Sequence, residues 1–397
     1  MAKETDENGA VQRRARTVVR VGACLAAAVC ALLAARAPFL SGLVPSLSPF
    51  NALLAVAAGT GGIFLIGAAV VAAACCAAQR FFCRWLCPAG TCQDAVARIS
   101  KKRAWVARVP SVGAWLLFAG VGAALAGYPL FGWLDPLALF NAAAGAAHAR
   151  PAPLEWAAAS GFALLLALAL VAPGLWCGRL CPLGALQDLL RRPFARRREP
   201  ETAAREVAAV GRRAFIGLGL GAGYRIALPP CRKPSAPVLR PPSSGAPARF
   251  TRLCVRCGAC VRVCPSGILS FGGADAGWAG VLAPEVSFAD GYCQETCAAC
   301  GRACPSGAIA PFTLKTKFRW PLGVARMDYD RCVLGLRREC GACVNACPYE
   351  ALDFEWDPDE MSSRVKVDEK RCTGCGYCEY VCVTTPRSIT VEPLRGG

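Results

Sequence analysis

Four runs of cysteine in the last third of the chain have the spacing of iron–sulfur ligands. They are Cys254-x2-Cys257-x2-Cys260-x3-Cys264-Pro265, Cys293-x3-Cys297-x2-Cys300-x3-Cys304-Pro305, Cys332-x7-Cys340-x2-Cys343-x3-Cys347-Pro348 and Cys372-x2-Cys375-x2-Cys378-x3-Cys382. Thiolates two positions apart, three in succession, converge on one inorganic centre, and in bacterial ferredoxins the fourth Cys crosses to a second cluster. Pro after that fourth Cys fixes the turn that sends it across. The longer gaps in runs two and three enlarge only a loop, and run four has its Pro displaced to Pro386. Sixteen ligands therefore divide into four [4Fe–4S] clusters. Zinc takes C-x-x-C pairs at long spacing and fits these runs poorly. A disulfide framework has no use for the repeated triplet. Pairing run one with two and three with four is the simplest arrangement. Nesting, one with four and two with three, is equally compatible with the spacing.

A second thiol set lies in the first half. Cys83-Arg-Trp-Leu-Cys87-Pro88-Ala-Gly90-Thr-Cys92-Gln93-Asp94 recurs as Cys177-Gly-Arg-Leu-Cys181-Pro182-Leu-Gly184-Ala-Leu-Gln187-Asp188. Both read C-x-x-x-C-P-x-G-x-x-Q-D. A weaker echo pairs Ser48-Pro49 with Asp135-Pro136. Two helical hairpins related in this way pack as pseudo-equivalent halves and bring Cys83, Cys87, Cys177 and Cys181 together. Four soft ligands suit a further metal centre, and a reversible dithiol–disulfide is the other redox reading. Cys24, Cys30, Cys75 and Cys76 follow no repeat and read as packing, as does Cys92, which matches Leu186.

These thiols need elements to place them. Apolar stretches run over 18–35, 52–78, 112–133 and 154–173, and about 20 such residues cross a bilayer as helix. Residues 1–228 hold 24 Lys/Arg against 10 Asp/Glu; the remainder holds 21 against 17. The excess sits beside the apolar segments, in the tail (Arg13, Arg14, Arg16), after the second stretch and after the fourth. Basic loops mark the cytoplasmic side, so the N-terminus and the ends of stretches two and four face inward. Arg212-Arg213 before a Gly-rich apolar segment resembles a twin-arginine export signal, placed internally, and reads as a fifth crossing or uncleaved anchor. Clusters are assembled inside the cell, so a ferredoxin half bound for the outside must cross folded. Pro229-Pro230 and the run from Pro234 to Pro247 read as a stiff connector. Short strand-like runs flank the last two motifs, Ala325–Asp328 and Ala351–Phe354, then Val365–Asp368 and Ile389–Val391.

The expected fold is thus an all-α transmembrane helical bundle, four spans plus a probable fifth crossing, followed by an α+β tandem ferredoxin-like domain. The expected domains are a cytoplasmic tail (1–16), the membrane domain (17–192), a basic linker with anchor and connector (193–249) and the polyferredoxin (250–397). One His, His148, cannot hold a bis-His haem, and no C-x-x-C-H occurs, so no haem is expected. Gly217-Leu-Gly219-Leu-Gly221 lacks a strand–helix setting, which argues against a nucleotide. No basic stripe interleaved with aromatics appears, which argues against nucleic acid despite a net charge of +18. No nucleophile or acid–base pair stands out; His148, Asp135 and Glu155 read as ordinary loop residues near the outer face. Cys231 has no assigned role.

Residues 17–192, with two C-x-x-x-C-P motifs, resemble the NapH/MauN membrane component of quinol dehydrogenases. Residues 212–392 resemble the NapG/MauM ferredoxin component, through Arg212-Arg213, Leu239-Arg240-Pro241-Pro242 and the four cluster motifs. The chain looks like a natural fusion of the two. It departs from the NapH pattern in lacking two further cluster motifs after the fourth stretch. The resemblance implies a multi-pass protein of the bacterial inner membrane, in contact with lipid, with a periplasmic ferredoxin half. It implies electron transfer from membrane quinol through four clusters to a redox protein partner. A maturation factor, supplying electrons for assembly of another metalloenzyme, is the alternative.

Overall fold

Pro and Gly decide how the apolar stretches are cut into helices. The computed structural model describes residues 2–59, 65–101, 104–127, 129–146, 153–194, 200–227, 238–273, 280–336, 338–357 and 362–394. His148 and Cys231 lie outside these, as does the side chain of Glu155. The first repeat opens with α1 (Ala2–Leu32). Next come α2 (Phe39–Ser46) and α3 (Pro49–Ala57), which meet at 94°. Ser48 caps α3 by accepting from the Asn51 backbone N–H, with Pro49 in the first turn. Then follow α4 (Leu65–Ala77), α5 (Phe81–Trp85) and α6 (Pro88–Ala97).

The second repeat matches it piece by piece. It runs α7 (Gly113–Leu125), α8 (Pro136–Ala146), α9 (Pro153–Val171), a π-helical turn (Trp176–Leu180) and α10 (Pro182–Arg191). Asp135 stands before α8 as Ser48 stands before α3, accepting from Leu137 N at 3.3 Å. The dipeptide echo is therefore a pair of equivalent helix starts. Far from being an outer loop residue, Asp135 is fully buried, and Asn51 Nδ2 donates to its Oδ2 at 2.5 Å. Phe50, Leu54, Cys75, Leu117, Leu137 and Leu183, drawn from both repeats, form one core.

The four uninterrupted spans expected from hydropathy are not what forms. Among the described residues, only Arg14–Leu32 is long and apolar enough to cross a membrane, with the bent α2–α3 pair a second candidate. The stretch 52–78 is divided between α3 and α4, after Gly59 turns at φ +83°. The stretch 112–133 stops being α-helical at Leu125, ahead of Gly127 at φ +90° and Pro129. Left-handed Gly and imide Pro interrupt the hydrogen-bond ladder where average hydropathy sees only apolar residues.

The linker also differs. From Pro200 it is helix: α11 (Pro200–Ala227) carries Arg212-Arg213 within one 28-residue element. It lies parallel to α7 at close range. A Cβ on Gly217 would meet Phe118 Cβ at 2.8 Å, and one on Gly221 would meet the Ala119 carbonyl at 2.1 Å. Small residues four apart allow such backbone approach. The connector is likewise no free spacer, since Leu239–Ser244 is buried in the ferredoxin half. Residues 228–237 lie outside the described set.

The ferredoxin half has two units. The first holds α12 (Pro247–Leu253), α13 (Ala259–Arg262), β1 (Leu269–Phe271), β2 (Pro284–Val286) and α14 (Ala299–Ala303). The second holds β3 (Val324–Met327), α15 (Ala342–Ala346), β4 (Leu352–Asp357), β5 (Ser362–Val367), α16 (Tyr377–Tyr380) and β6 (Ile389–Glu392). The strands pair antiparallel as β1–β2, β3–β6 and β4–β5. The strand-like runs flanking motifs three and four are these last four strands. No disulfide joins any described cysteine.

Candidate functional site

The repeated C-x-x-x-C-P motifs meet in the core of the helical half, and each residue of the consensus has a place. The second Cys of each motif caps the helix that Pro begins: Gly90 N donates to Cys87 Sγ at 3.3 Å, and Gly184 N to Cys181 Sγ at 3.4 Å. The Gln residues reach across between repeats. Gln187 Nε2 donates to Cys83 Sγ at 2.9 Å, and Cys177 Sγ donates to Gln93 Oε1 at 3.0 Å. The Asp residues anchor the pair outward, Asp94 to Arg20 at 2.6 Å and Asp188 to Arg80 at 2.5 Å. Burial raises all four thiols, Cys83 to about 11 despite the Gln187 hydrogen bond and the nearby Arg80. They are held protonated at neutral pH, so a metal bound here would have to displace those protons. Cys75, expected to be mere packing, donates to Gln187 Oε1 at 3.3 Å. Cys24 and Cys92 lie together, Sγ to Sγ 3.7 Å.

The sixteen ferredoxin thiols sort into four groups of four. Cys264 lines one cavity with Cys293, Cys297 and Cys300. Cys382 lines another with Cys332, Cys340 and Cys343. Cys304 is within electrostatic reach of Cys254, Cys257 and Cys260, and Cys347 of Cys375, beside Cys372 and Cys378. The fourth Cys of each motif thus crosses to its partner, and the pairing is sequential. Backbone N–H groups point at the sulfurs: Ile309 to Cys304 at 3.4 Å, Ala351 to Cys347 at 3.3 Å and Ala325 to Cys372 at 3.5 Å. Gly376, at φ +80°, leaves room for the Phe288 ring, which a Cβ would meet at 2.2 Å. Among the described residues no three Cys, His, Asp or Glu side chains are close enough to hold one ion. Cage clusters spread their four thiolates over separate iron corners, so the donor set and these cysteine-lined cavities fit [4Fe–4S] groups.

The two units abut through the sites of motifs two and four. Cys293 N donates to the Cys375 carbonyl at 2.8 Å, and Tyr292 stacks on Tyr377 with centroids 3.8 Å apart. The site of motif one faces the other way, onto the helical half. Val255, Cys257 and Ala259 pack with Ala34, Ala55 and Ala138. Arg262, between the third and fourth ligands of motif one, donates to Asn141 and, from Nη2, to Ser41 Oγ at 2.8 Å. Ser41 Oγ in turn donates to the Ala259 carbonyl at 3.0 Å. Burial pushes the Arg262 guanidinium down to about 10, which leaves it charged at neutral pH. Sites two and four are therefore neighbours, and site one contacts the helices, as α14 of motif two also does through α2. Near the thiol set, Cys24 Sγ lies 3.9 Å from the Pro88 carbonyl, and farther along the chain Ala34 belongs to the cluster that includes Cys257.

Arg262, Ser41 and Asn141 were invisible in the sequence. Arg302 occupies the same place in motif two and is exposed. Gln93, Gln187 and the two Asp were visible as repeated letters, without a role.

Known proteins show the same division. A family model described as a 4Fe-4S dicluster domain matches residues 253–308 and 336–385. One described as a 4Fe-4S binding domain matches 58–105 and 154–201, once per helical repeat. The methylamine utilization ferredoxin-type protein MauM of Methylobacillus flagellatus is 34% identical over 172 residues, 41% of this chain and 72% of that protein. MauM of Paracoccus denitrificans is 32% identical over 215 residues, 52% and 91% of the two chains. The ferredoxin-type protein NapG of Escherichia coli is 29% identical over 200 residues, 47% and 82%. No solved structure matches.

Proposed function

The chain belongs to the family of MauM- and NapG-type ferredoxin proteins, and from that premise we propose that it carries electrons from membrane quinol, through its cluster sites, to a periplasmic redox protein. That it is an iron–sulfur electron-transfer protein follows from the family and from its dicluster domains. The quinol source, the membrane setting and the side of the membrane are our reading. When bound, the clusters supply one-electron carriers. The residues set their order, and the observation that carries the reading is the seating of motif one on the helical half by Arg262. An electron leaving the helices has that site as its nearest station.

The surface of the helical half supports membrane embedding. Val18, Leu25, Ile66, Val70, Leu164 and Phe215 are each more than 60% exposed. Apolar area of this kind, spread over α1, α4, α9 and α11, suits lipid rather than water. Orientation follows from two ends of one helix. The basic loop 98–108 precedes α7, while Arg252 and Val255 lie against Gly127 and Gly132 beyond its far end. With the basic loop inside, the ferredoxin half is outside, and α11, parallel to α7, carries the chain across. The four C-x-x-x-C-P thiols are proposed as the redox or metal site between quinol and motif one.

The test uses anaerobic full-length protein in membrane vesicles. A quinol analogue should bleach the cluster absorbance of the parent. The C83S/C177S variant should respond to dithionite but not to quinol. A parent that no quinol analogue reduces at any potential refutes the reading.

A further inference from the structure

At the basic end of the helical half a cleft opens between α7, α10 and α11, with about 560 Å³ of empty space including its open mouth. Its charge is one-sided. Arg80, Arg179, Arg192 and Arg213 line it, and Asp188 is the one acidic side chain among its lining residues. Asp188 is already engaged by Arg80, whose Nη1 also donates to the Cys177 carbonyl at 2.8 Å. Arg179, Arg192 and Arg213 also line that space. Leu117 and Phe118 of α7, Leu189 of α10 and Val210 of α11 add apolar lining. Charge and hydrocarbon side by side are the profile of an amphiphile's site, and basic pockets between membrane helices on the cytoplasmic side receive phosphate headgroups.

We propose that this cleft binds the phosphate headgroup of an anionic phospholipid, its acyl chains passing to the exposed apolar surface of the helical half. Arginine forks bind phosphate oxygens in pairs, which a Lys cannot do. The lipid would clamp α11, the element that leads into the ferredoxin half, to α10, which carries Cys181 at its N-cap. Arg213, the second member of the twin-arginine pair, then has a permanent task beyond export.

The test uses the full chain purified in detergent, stripped of lipid and reconstituted into nanodiscs. The probes are phosphatidylglycerol, cardiolipin, phosphatidylethanolamine and inorganic phosphate, with retained lipid counted by native mass spectrometry. One anionic phospholipid per chain should be retained at least tenfold over phosphatidylethanolamine. Free phosphate at millimolar concentration should not displace it. The R192Q/R213Q variant should lose that preference while keeping the parent's iron content. Equal retention of phosphatidylethanolamine overturns the proposal, as does a double variant that keeps its lipid. Displacement by free phosphate also overturns it, by making the cleft a site for soluble anions. The lipid comparison on the parent decides the matter even where the variant does not fold.

Discussion

Arg262 Nη2 donates to Ser41 Oγ at 2.8 Å, tying the first cluster motif to the helical half across 221 positions of chain. The same guanidinium reaches Asn141 through both its side chain and its carbonyl, the latter at 3.1 Å.

Replacing Arg262 with Leu should strand these acceptors. Each buried polar group left unpaired costs about 1–3 kcal/mol. The expected outcome is a full complement of iron, because Arg262 is no ligand, with quinol-driven bleaching at least tenfold slower and dithionite reduction unchanged. Bleaching at the parental rate sinks the coupling role.

The crossed ligation makes a second, sharper claim. Cys304 belongs to motif two by sequence but sits with Cys254, Cys257 and Cys260. Cys304→Ala and Cys257→Ala should therefore delete the same EPR signal, and Cys293→Ala a different one. If Cys304→Ala and Cys293→Ala instead share a lost signal, the sequential crossing is wrong.

Helix α11 gives a paired comparison. Gly221→Leu drives a side chain into the Ala119 carbonyl, 2.1 Å from the ideal Cβ, whereas Gly219 has nothing within 4 Å. Overpacking of this kind costs about 1–3 kcal/mol or more. Thermal unfolding of the helical half should fall by several degrees for Gly221→Leu and stay put for Gly219→Leu.

Iron removal should divide the molecule. The ferredoxin cores are built around their thiols, with Cys254 and Cys260 in one and Cys332 and Cys378 in the other. Binding free energy at such sites is folding free energy. Anaerobic chelation should abolish near-ultraviolet dichroism from the ferredoxin half and leave the far-ultraviolet helix signal largely intact. A C-terminal half that keeps its tertiary signal without iron contradicts this.

The sequence determined the cofactor chemistry almost outright. Ligand spacing is a local property: a loop of two or three residues between thiolates is the same loop in any fold. The internal repeat was equally local, and it aligned Gln187 and Asp188 with Gln93 and Asp94. The strands around motifs three and four were also legible, those around motif four as short β-branched runs. Long-range proximity was not. Nothing in Cys260-Val-Arg262-Val-Cys264 distinguishes it from Cys300-Gly-Arg302-Ala-Cys304, yet one Arg is half-buried against the helices and the other faces solvent. Hydropathy averages erased the breaks at Gly59 and Gly127, because a window sums apolar character and ignores backbone dihedrals. Asp135 looked like a loop residue because its partner, Asn51, lies 84 positions away. Ligand identity is written in neighbouring residues; which site meets the helical half is decided only when distant segments pack.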